Sequence, residues 1–248
     1  MKGTVLLCLA TASTLLVAGS PAAFAAPSKA ASDSKPVITK QITSIYVGYA
    51  TRDTDDRSVT ANWVQPVIEP PRSMPSNHTQ PSAAIWAGLQ SKEVLAQIGT
   101  DTWVASPHST GSYAWYEVFP HPAIAIPYQV WPGDHMTAAV TLVRGRCYEM
   151  DLTNHTHRWN FQFTDCEQLA QLPHAITVAE APTTGAGVLP LADFGKVTFT
   201  GVKVNGAPLT NYPLNECFLV DSHGKEQATP GGITAGGSAF SVQWKSLT

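Results

Sequence analysis

The stretch that decides the fold runs from Ala175 to Phe199, AITVAEAPTTGAGVLPLADFGKVTF. Two apolar runs flank a loop of small residues. Val178 and Ala179 lead into Glu180, and Ala181-Pro182 end the segment. A short apolar run bounded by turn residues reads as a buried strand. A carboxylate is therefore delivered at the end of such a strand. The loop Thr183-Thr184-Gly185-Ala186-Gly187 carries little bulk and can pass close to a ligand. An acid placed this way is either a paired structural group or a chemical one, because perturbed acids gather at functional sites without being confined to them. The decision rests on a partner, and the candidate partner is Gln97.

The same pattern repeats outward from this stretch. Strands are predicted near 44–49, 58–66, 82–89, 94–100, 113–120, 123–130, 135–143, 147–152 and 159–163. Further strands are predicted near 175–180, 196–204, 217–221 and 239–244. Gly, Pro and Asn turns separate them, and no stretch combines helical periodicity with caps. The expected fold class is all-β, a sandwich or barrel of antiparallel strands. The spacing is continuous after residue 44, which predicts one domain over 44–248.

The chain has 248 residues, 44% of them hydrophobic and only 13% charged, against a usual charged share of roughly 25%. Few paired carboxylates means few groups whose protonation unfolds the protein in acid. An ordinary Ser/Thr-rich secreted protein has the same composition. The formal charge of −3 and the lack of any Lys/Arg run speak against nucleic acid as a partner.

Residues 1–25 read as a secretory signal: Lys2, the apolar Val5–Val17, then Ala23-Phe24-Ala25 as a small-x-small cleavage site. The expected mature protein is exported, soluble and free of membrane spans. Residues 26–43, rich in Ala, Ser, Lys and Pro, read as a flexible leader or short pro-segment. With Cys8 removed, Cys147, Cys166 and Cys217 remain. Cys147 and Cys166 flank a hairpin turning near Asn154-His155, which predicts a disulfide between them and a free, buried Cys217.

Each chemical candidate has a plainer alternative. Glu180 can act as general base towards water, and the Gln97 amide can donate to the oxyanion of a tetrahedral intermediate. Gln97 can equally serve only backbone groups at a sheet edge. Glu117, in YAWYEVFP, is either a second active-site acid or an exposed residue on an alternating strand. Trp86, Trp115 and Phe119 either line a groove or pack a core. His155 and His157 suit a solvated turn better than a metal site. Asn77-His78-Thr79 and Asn154-His155-Thr156 fit the glycosylation pattern.

At this point several segments, in order from about residue 44 onward, resemble the glutamic peptidases, or eqolisins. SAAIWAGL (82–89) is similar to the family's SxWxGI strand. LAQIG (95–99) is similar to the LxQxG segment that carries its catalytic Gln. Tyr113–Pro120 resembles the segment with its AWYExxP pattern. Pro132-Gly133-Asp134 resembles a GD turn, 175–182 the AExIxE segment, and LADFGKVTF (191–199) the strand after it. SAFSVQW resembles the final strand. The resemblance is to bacterial, secreted members. It implies a lectin-like (concanavalin A-like) β-sandwich of two antiparallel sheets with the site in its concave face. It also implies an acid-active endopeptidase with Gln97 and Glu180 as catalytic residues and Trp86, Glu117 and Trp115 at the substrate. Protein or peptide substrates, no cofactor, no metal and a monomer are expected. The chain departs from the family pattern at Ile176, Thr177, Gln90 and Tyr46. Two other functions fit the residues: a non-catalytic β-sandwich that binds peptide or carbohydrate, and a glycosidase with Glu117 and Glu180 as its carboxylate pair.

Overall fold

The structure is a computed structural model that describes residues 36–74, 79–143, 147–166, 173–185, 187–234 and 236–247. The signal-peptide reading and the Asn77 site lie outside these residues. In chain order the strands are β1 (Ile38–Thr43), β2 (Tyr46–Thr51), β3 (Ser58–Val64), β4 (Ser82–Gln90), β5 (Leu95–Ser106) and β6 (Ser109–Phe119). Next come β7 (Ile124–Gln129), β8 (His135–Val143), β9 (Cys147–Asn154), β10 (Trp159–Cys166), β11 (His174–Glu180), β12 (Thr183–Thr184) and β13 (Gly187–Val188). Last are β14 (Lys196–Val204), β15 (Ala207–Pro208), β16 (Leu214–Val220), β17 (Glu226–Pro230) and β18 (Phe240–Trp244). Among the described residues there is no α-helix, only a 3₁₀ turn at Leu209–Asn211.

The hydrogen-bonded order is β10-β9-β8-β3-β14-β18-β17-β16-β2-β11-β4-β5-β6-β7. Strand β14 turns the corner between the two sheets of the sandwich. Its first half, Lys196–Phe199, pairs with β18, and its second half pairs with β3, with a register shift between Thr200 and Lys203. Gly201 sits at that shift with φ 57°, in the left-handed region that favours glycine. The sheet of β10, β9, β8 and β3 then packs over β4, β5 and β6. Tyr116 of β6, for example, lies against Phe161 and Phe163 of β10, with ring centroids 5.4 and 4.5 Å away.

Alternation explains the core. In β8 and β9 every second residue is buried: Met136, Ala138, Val140 and Leu142 on one, Tyr148, Met150 and Leu152 on the other. These meet Ala83, Ile85, Ala87 and Leu89 of β4 and Ala96 and Ile98 of β5 in the main core. Strand β11 is pinned at both ends. At its start the buried Asp56 carboxylate accepts from Ala175 N (2.9 Å), Thr54 Oγ1 (2.8 Å), Asn205 Nδ2 (3.1 Å) and Thr51 Oγ1. At its end Ala181 N donates to Ile45 O at 2.7 Å.

Ordered structure extends into the stretch read as a flexible leader. Ile38–Thr43 forms β1, parallel to β16, with Ile38 opposite Leu214 and Thr43 opposite Leu219. Its side chains are mostly exposed, so backbone pairing along the edge of β16 holds it rather than an apolar pattern. Asn154 is fully buried: its Nδ2 donates to Asp134 Oδ2 at 2.7 Å, and its Oδ1 accepts from Thr156 N and His157 N. The side chain shapes the hairpin turn, which runs against the glycosylation reading of this motif. His155 Nε2 contacts Thr137 Oγ1, while His157 Nε2 lies 3.1 Å from Asp134 Oδ1, so the two rings turn to different partners.

The disulfide joins Cys147 and Cys166, which face each other across the β9–β10 ladder with Cα atoms 3.9 Å apart. Cys217 is free and buried. Replacing both bridged cysteines by serine is expected to cost about 2–4 kcal/mol of stability in a denaturant titration. A peptide map of the unreduced protein that links Cys217 to either partner would overturn this pairing.

Candidate active site

Four neighbouring strands carry the candidate residues, and register fixes which share a face. In the β11–β4–β5–β6 sheet, Glu180 stands opposite Ala84, which faces Asp101, which faces Tyr113. The next same-face row is Val178, Trp86, Gly99 and Trp115, and the one after it is Ile176, Gly88, Gln97 and Glu117. Because side chains alternate along a strand, all three rows project away from the main core. A second apolar cluster on that side confirms the parity: Ala50, Ala84, Trp86, Trp115, Ile176 and Val178, with Tyr46, Leu95 and Tyr113 partly buried against it. Gln97 and Glu180 therefore share a face.

The central row needs a glycine. A Cβ at Gly99 would sit 2.2 Å from the Ile85 carbonyl oxygen and 2.6 Å from Trp86 Cβ. Without one, β5 lies close under the two indoles. Trp86, 1% exposed, donates its Nε1–H to Glu180 Oε2 at 2.6 Å. Gln97, 6% exposed, donates from Nε2 to Glu117 Oε2. Gln97 Oε1 and Trp115 Nε1 are buried on this side with no hydrogen-bond partner among the described residues. Buried polar groups are almost always satisfied, so an unfilled acceptor and an unfilled donor leave this face able to take up a further polar group.

Burial sets the electrostatics. Loss of solvent raises the Glu180 carboxyl from its ordinary 4.5 to about 7; the Trp86 hydrogen bond opposes this, and the charges of Glu117 and Asp101 add to it. Burial also raises Glu117, against the Gln97 hydrogen bond, and raises Asp101, against bonds from Ser82, Tyr113 and the Thr102 backbone. A carboxyl near 7 exchanges a proton readily around neutral and mildly acidic pH, as a general acid–base group must.

The structure brings Glu180 to Trp86 and Gln97 to Glu117, with Trp115 in the row between. Phe119 is exposed and makes no part of this cluster. Ile176 stands two residues before Glu180 on the same face and joins the apolar patch, whereas Thr177 points to the opposite face. Gln90 lies at the far end, opposite His174 and Leu95. Asp101, Tyr113 and Ser82 were missed by sequence reasoning. Ser82 Oγ and Tyr113 OH (3.4 Å) both donate to the Asp101 carboxylate, which borders a cavity of about 270 Å³ also lined by Gln80, Trp103 and Leu189. The signal for Asp101 was its spacing of four from Gln97, which puts both on one face of a strand. Among the described residues no three His, Cys, Asp or Glu side chains converge to hold a metal ion.

Comparison with known proteins bears on this arrangement. The chain is similar in structure to scytalido-glutamic peptidase solved with a transition state analog inhibitor: 17% identity, 82% of this chain and 98% of that one covered, TM-score 0.66. It is similar to SCP-B, an eqolisin solved with the tripeptide Ala-Ile-His, at 16% identity, 82% and 98% coverage and TM-score 0.59. It is also similar to aspergilloglutamic peptidase from Aspergillus niger, at 19% identity, 66% and 99% coverage and TM-score 0.58. At such identities these likenesses speak for the fold. A search among curated protein sequences gives no match. The model of the peptidase A4 family matches residues 44–243, most of the length. The chain therefore belongs to the peptidase A4 family, the glutamic peptidases, and is a peptide-bond hydrolase.

Proposed function

We propose that this peptidase is a secreted endopeptidase, active on the acidic side of neutrality, that works through Glu180 and Gln97. The observation that carries the reading is the Glu180 carboxyl: half-buried, bonded to Trp86 Nε1, raised to about 7, and on the same face as Gln97. As carboxylate, Glu180 takes a proton from water while the water oxygen attacks the scissile carbonyl carbon. The Gln97 amide has two hydrogens, one engaged by Glu117 and one left to donate to the oxyanion. Glu180 then returns the proton to the leaving nitrogen, the C–N bond breaks, and a carboxyl and an amine product leave. Trp86 holds Glu180 in place, and Trp115 lends its free indole N–H to the substrate backbone. Residues 1–25 serve as the export signal, 26–43 as a leader and 44–248 as the catalytic domain, which acts as a monomer on peptide or protein substrates without a cofactor.

Hydrolysis of a denatured protein at mildly acidic pH tests this. Wild type should cleave, Glu180→Gln should be inactive yet folded, and Gln97→Ala should lose about 10²–10³-fold in kcat. Combining the two should add little to Glu180→Gln alone. Undiminished cleavage by Glu180→Gln would remove Glu180 from the mechanism.

The raised carboxyl also has a stability signature. Glu180 binds its proton more tightly in the folded than in the unfolded chain, so its contribution is fully present below about 4.5 and is lost as pH rises through about 7. The shift corresponds to roughly 3 kcal/mol. Glu180→Gln, a fixed mimic of the protonated form, should match wild type near pH 4 and exceed it in Tm by about 6–12 °C above neutrality. Parallel melting curves across this range check it, and an equal Tm for both proteins at high pH speaks against the burial argument.

N-terminal sequencing of secreted material should place the start near Ala26, as the Ala23-Phe24-Ala25 site requires. A start beyond residue 43 would instead mean removal of a pro-segment that includes β1.

A further inference from the structure

We propose that Glu117 works as a neutral carboxylic acid, and that its proton holds the Gln97 amide in the orientation catalysis needs. Glu117 is then a positioning residue that acts through Gln97. The inference rests on the peptidase reading above and adds a role for a residue that the resemblance implied only as a substrate contact.

Gln97 and Glu117 stand directly opposite on β5 and β6, with side chains on the same face. Gln97 Nε2 donates to Glu117 Oε2, which leaves the buried Gln97 Oε1 without a donor among the described residues. The row that holds it offers only Gly88 and Ile176 besides Glu117. Trp86 spends its N–H on Glu180, and the Trp115 N–H makes no bond to this oxygen. Among the described residues, the group bonded to the amide that can supply a hydrogen is Glu117 itself.

A carboxylic acid beside a primary amide closes a ring of two hydrogen bonds. The amide N–H donates to the acid's carbonyl oxygen, and the acid's O–H donates to the amide oxygen. This satisfies Gln97 Oε1, stops rotation of the amide, and consumes only one of its two hydrogens. The second stays available for the oxyanion. A carboxylate can only accept, so deprotonated Glu117 makes one bond, orphans Oε1 and leaves the amide free to turn about its last torsion.

The surroundings favour the proton. Facing Glu117 on this side are Gln97 and Asp101 from β5, Glu180 and His174 from β11, Tyr113 from its own strand and Tyr46 from β2. Strands β4 and β7 contribute no charged residue. Burial holds His174 below its ordinary range, against the pull of Asp56. Burial likewise raises Glu117, with the Gln97 bond acting against it. The Glu117 charge is one of the influences that push Glu180 upward. A proton on Glu117 thus makes it easier for Glu180 to ionise and act as base. The productive form has Glu117 protonated and Glu180 ionised, one of the two singly protonated forms of the pair, and its rise and fall with pH gives a bell-shaped profile.

The test compares pH profiles of kcat and kcat/KM for wild type, Glu117→Gln, Glu117→Ala and Glu180→Gln on one peptide substrate. An amide at 117 keeps both bonds to Gln97 and cannot lose a proton. Glu117→Gln should therefore retain kcat within about tenfold, with its descending limb moved to higher pH, while Glu117→Ala loses about 10²-fold in kcat with KM little changed. Glu117→Gln should also melt no lower than wild type at neutral pH. The proposal is overturned if Glu117→Gln is as inactive as Glu117→Ala, or is active with an unmoved descending limb, or is less stable than wild type. An inactive wild type, or an active Glu180→Gln, overturns the underlying peptidase mechanism and this inference with it. An active wild type with inactive Glu180→Gln and inactive Glu117→Gln overturns the role of Glu117 alone.

Discussion

Strand β4 is buried on both faces, and the chemistry of the site follows from that constraint. Ala83, Ile85, Ala87 and Leu89 pack into the main core, while Ala84 and Trp86 are covered on the opposite side. A one-sided sheet would leave its outer face in water, and acids there would titrate normally. Here the outer face carries two indoles and a patch of aliphatic side chains, and Glu180, Glu117 and Asp101 are set among them. Each loses solvent, and each is raised by that loss. Removing water strengthens every interaction that remains, so a single indole N–H or one amide becomes decisive.

The same constraint explains the aromatic and small residues around the site. Trp86 and Trp115 flank Gly99 across three strands, and only a glycine lets the backbone pass that close to Trp86. Ile176 extends the apolar surface at a position where the family pattern has an acid. The groove therefore holds fewer carboxylates than the pattern would give it. Fewer like charges make it easier for Glu180 to ionise. The anchoring of β11 at Asp56 and Ile45 keeps Glu180 in register with Ala84, which matters because a slip of one residue would turn it into the core.

Much of this was legible in the sequence, for physical reasons. Glu180 ends an apolar run, and Gln97 is a polar residue set among apolar ones; alternation then puts them on a common face once strands are paired. The Cys147–Cys166 bridge followed from symmetric placement about a turn. What stayed hidden depended on pairing between distant segments. Strand β1 has no buried stripe, and β17 is a short, Pro-ended segment, so neither carries a periodic signal; β1 exists because β16 offers it backbone groups, and β17 because β16 and β18 do. The Gln97–Glu117 bond requires the β5–β6 register, and the Asp101 pocket requires Ser82 and Tyr113 from strands on either side. Asn154 shows the converse case, a short motif whose side chain is already consumed by the fold.

Desolvation outweighs the Trp86 hydrogen bond and raises the Glu180 carboxyl to about 7. The most direct measurement is a carbon-13 NMR titration of the side-chain carboxyls in the wild type, with the Glu180 signal assigned by its loss in Glu180→Gln. Burial of this face requires a Glu180 midpoint near 7, moving downward when Glu117 is replaced by Gln. A Glu180 midpoint at the ordinary carboxyl value of about 4.3, unaffected by that replacement, would contradict it.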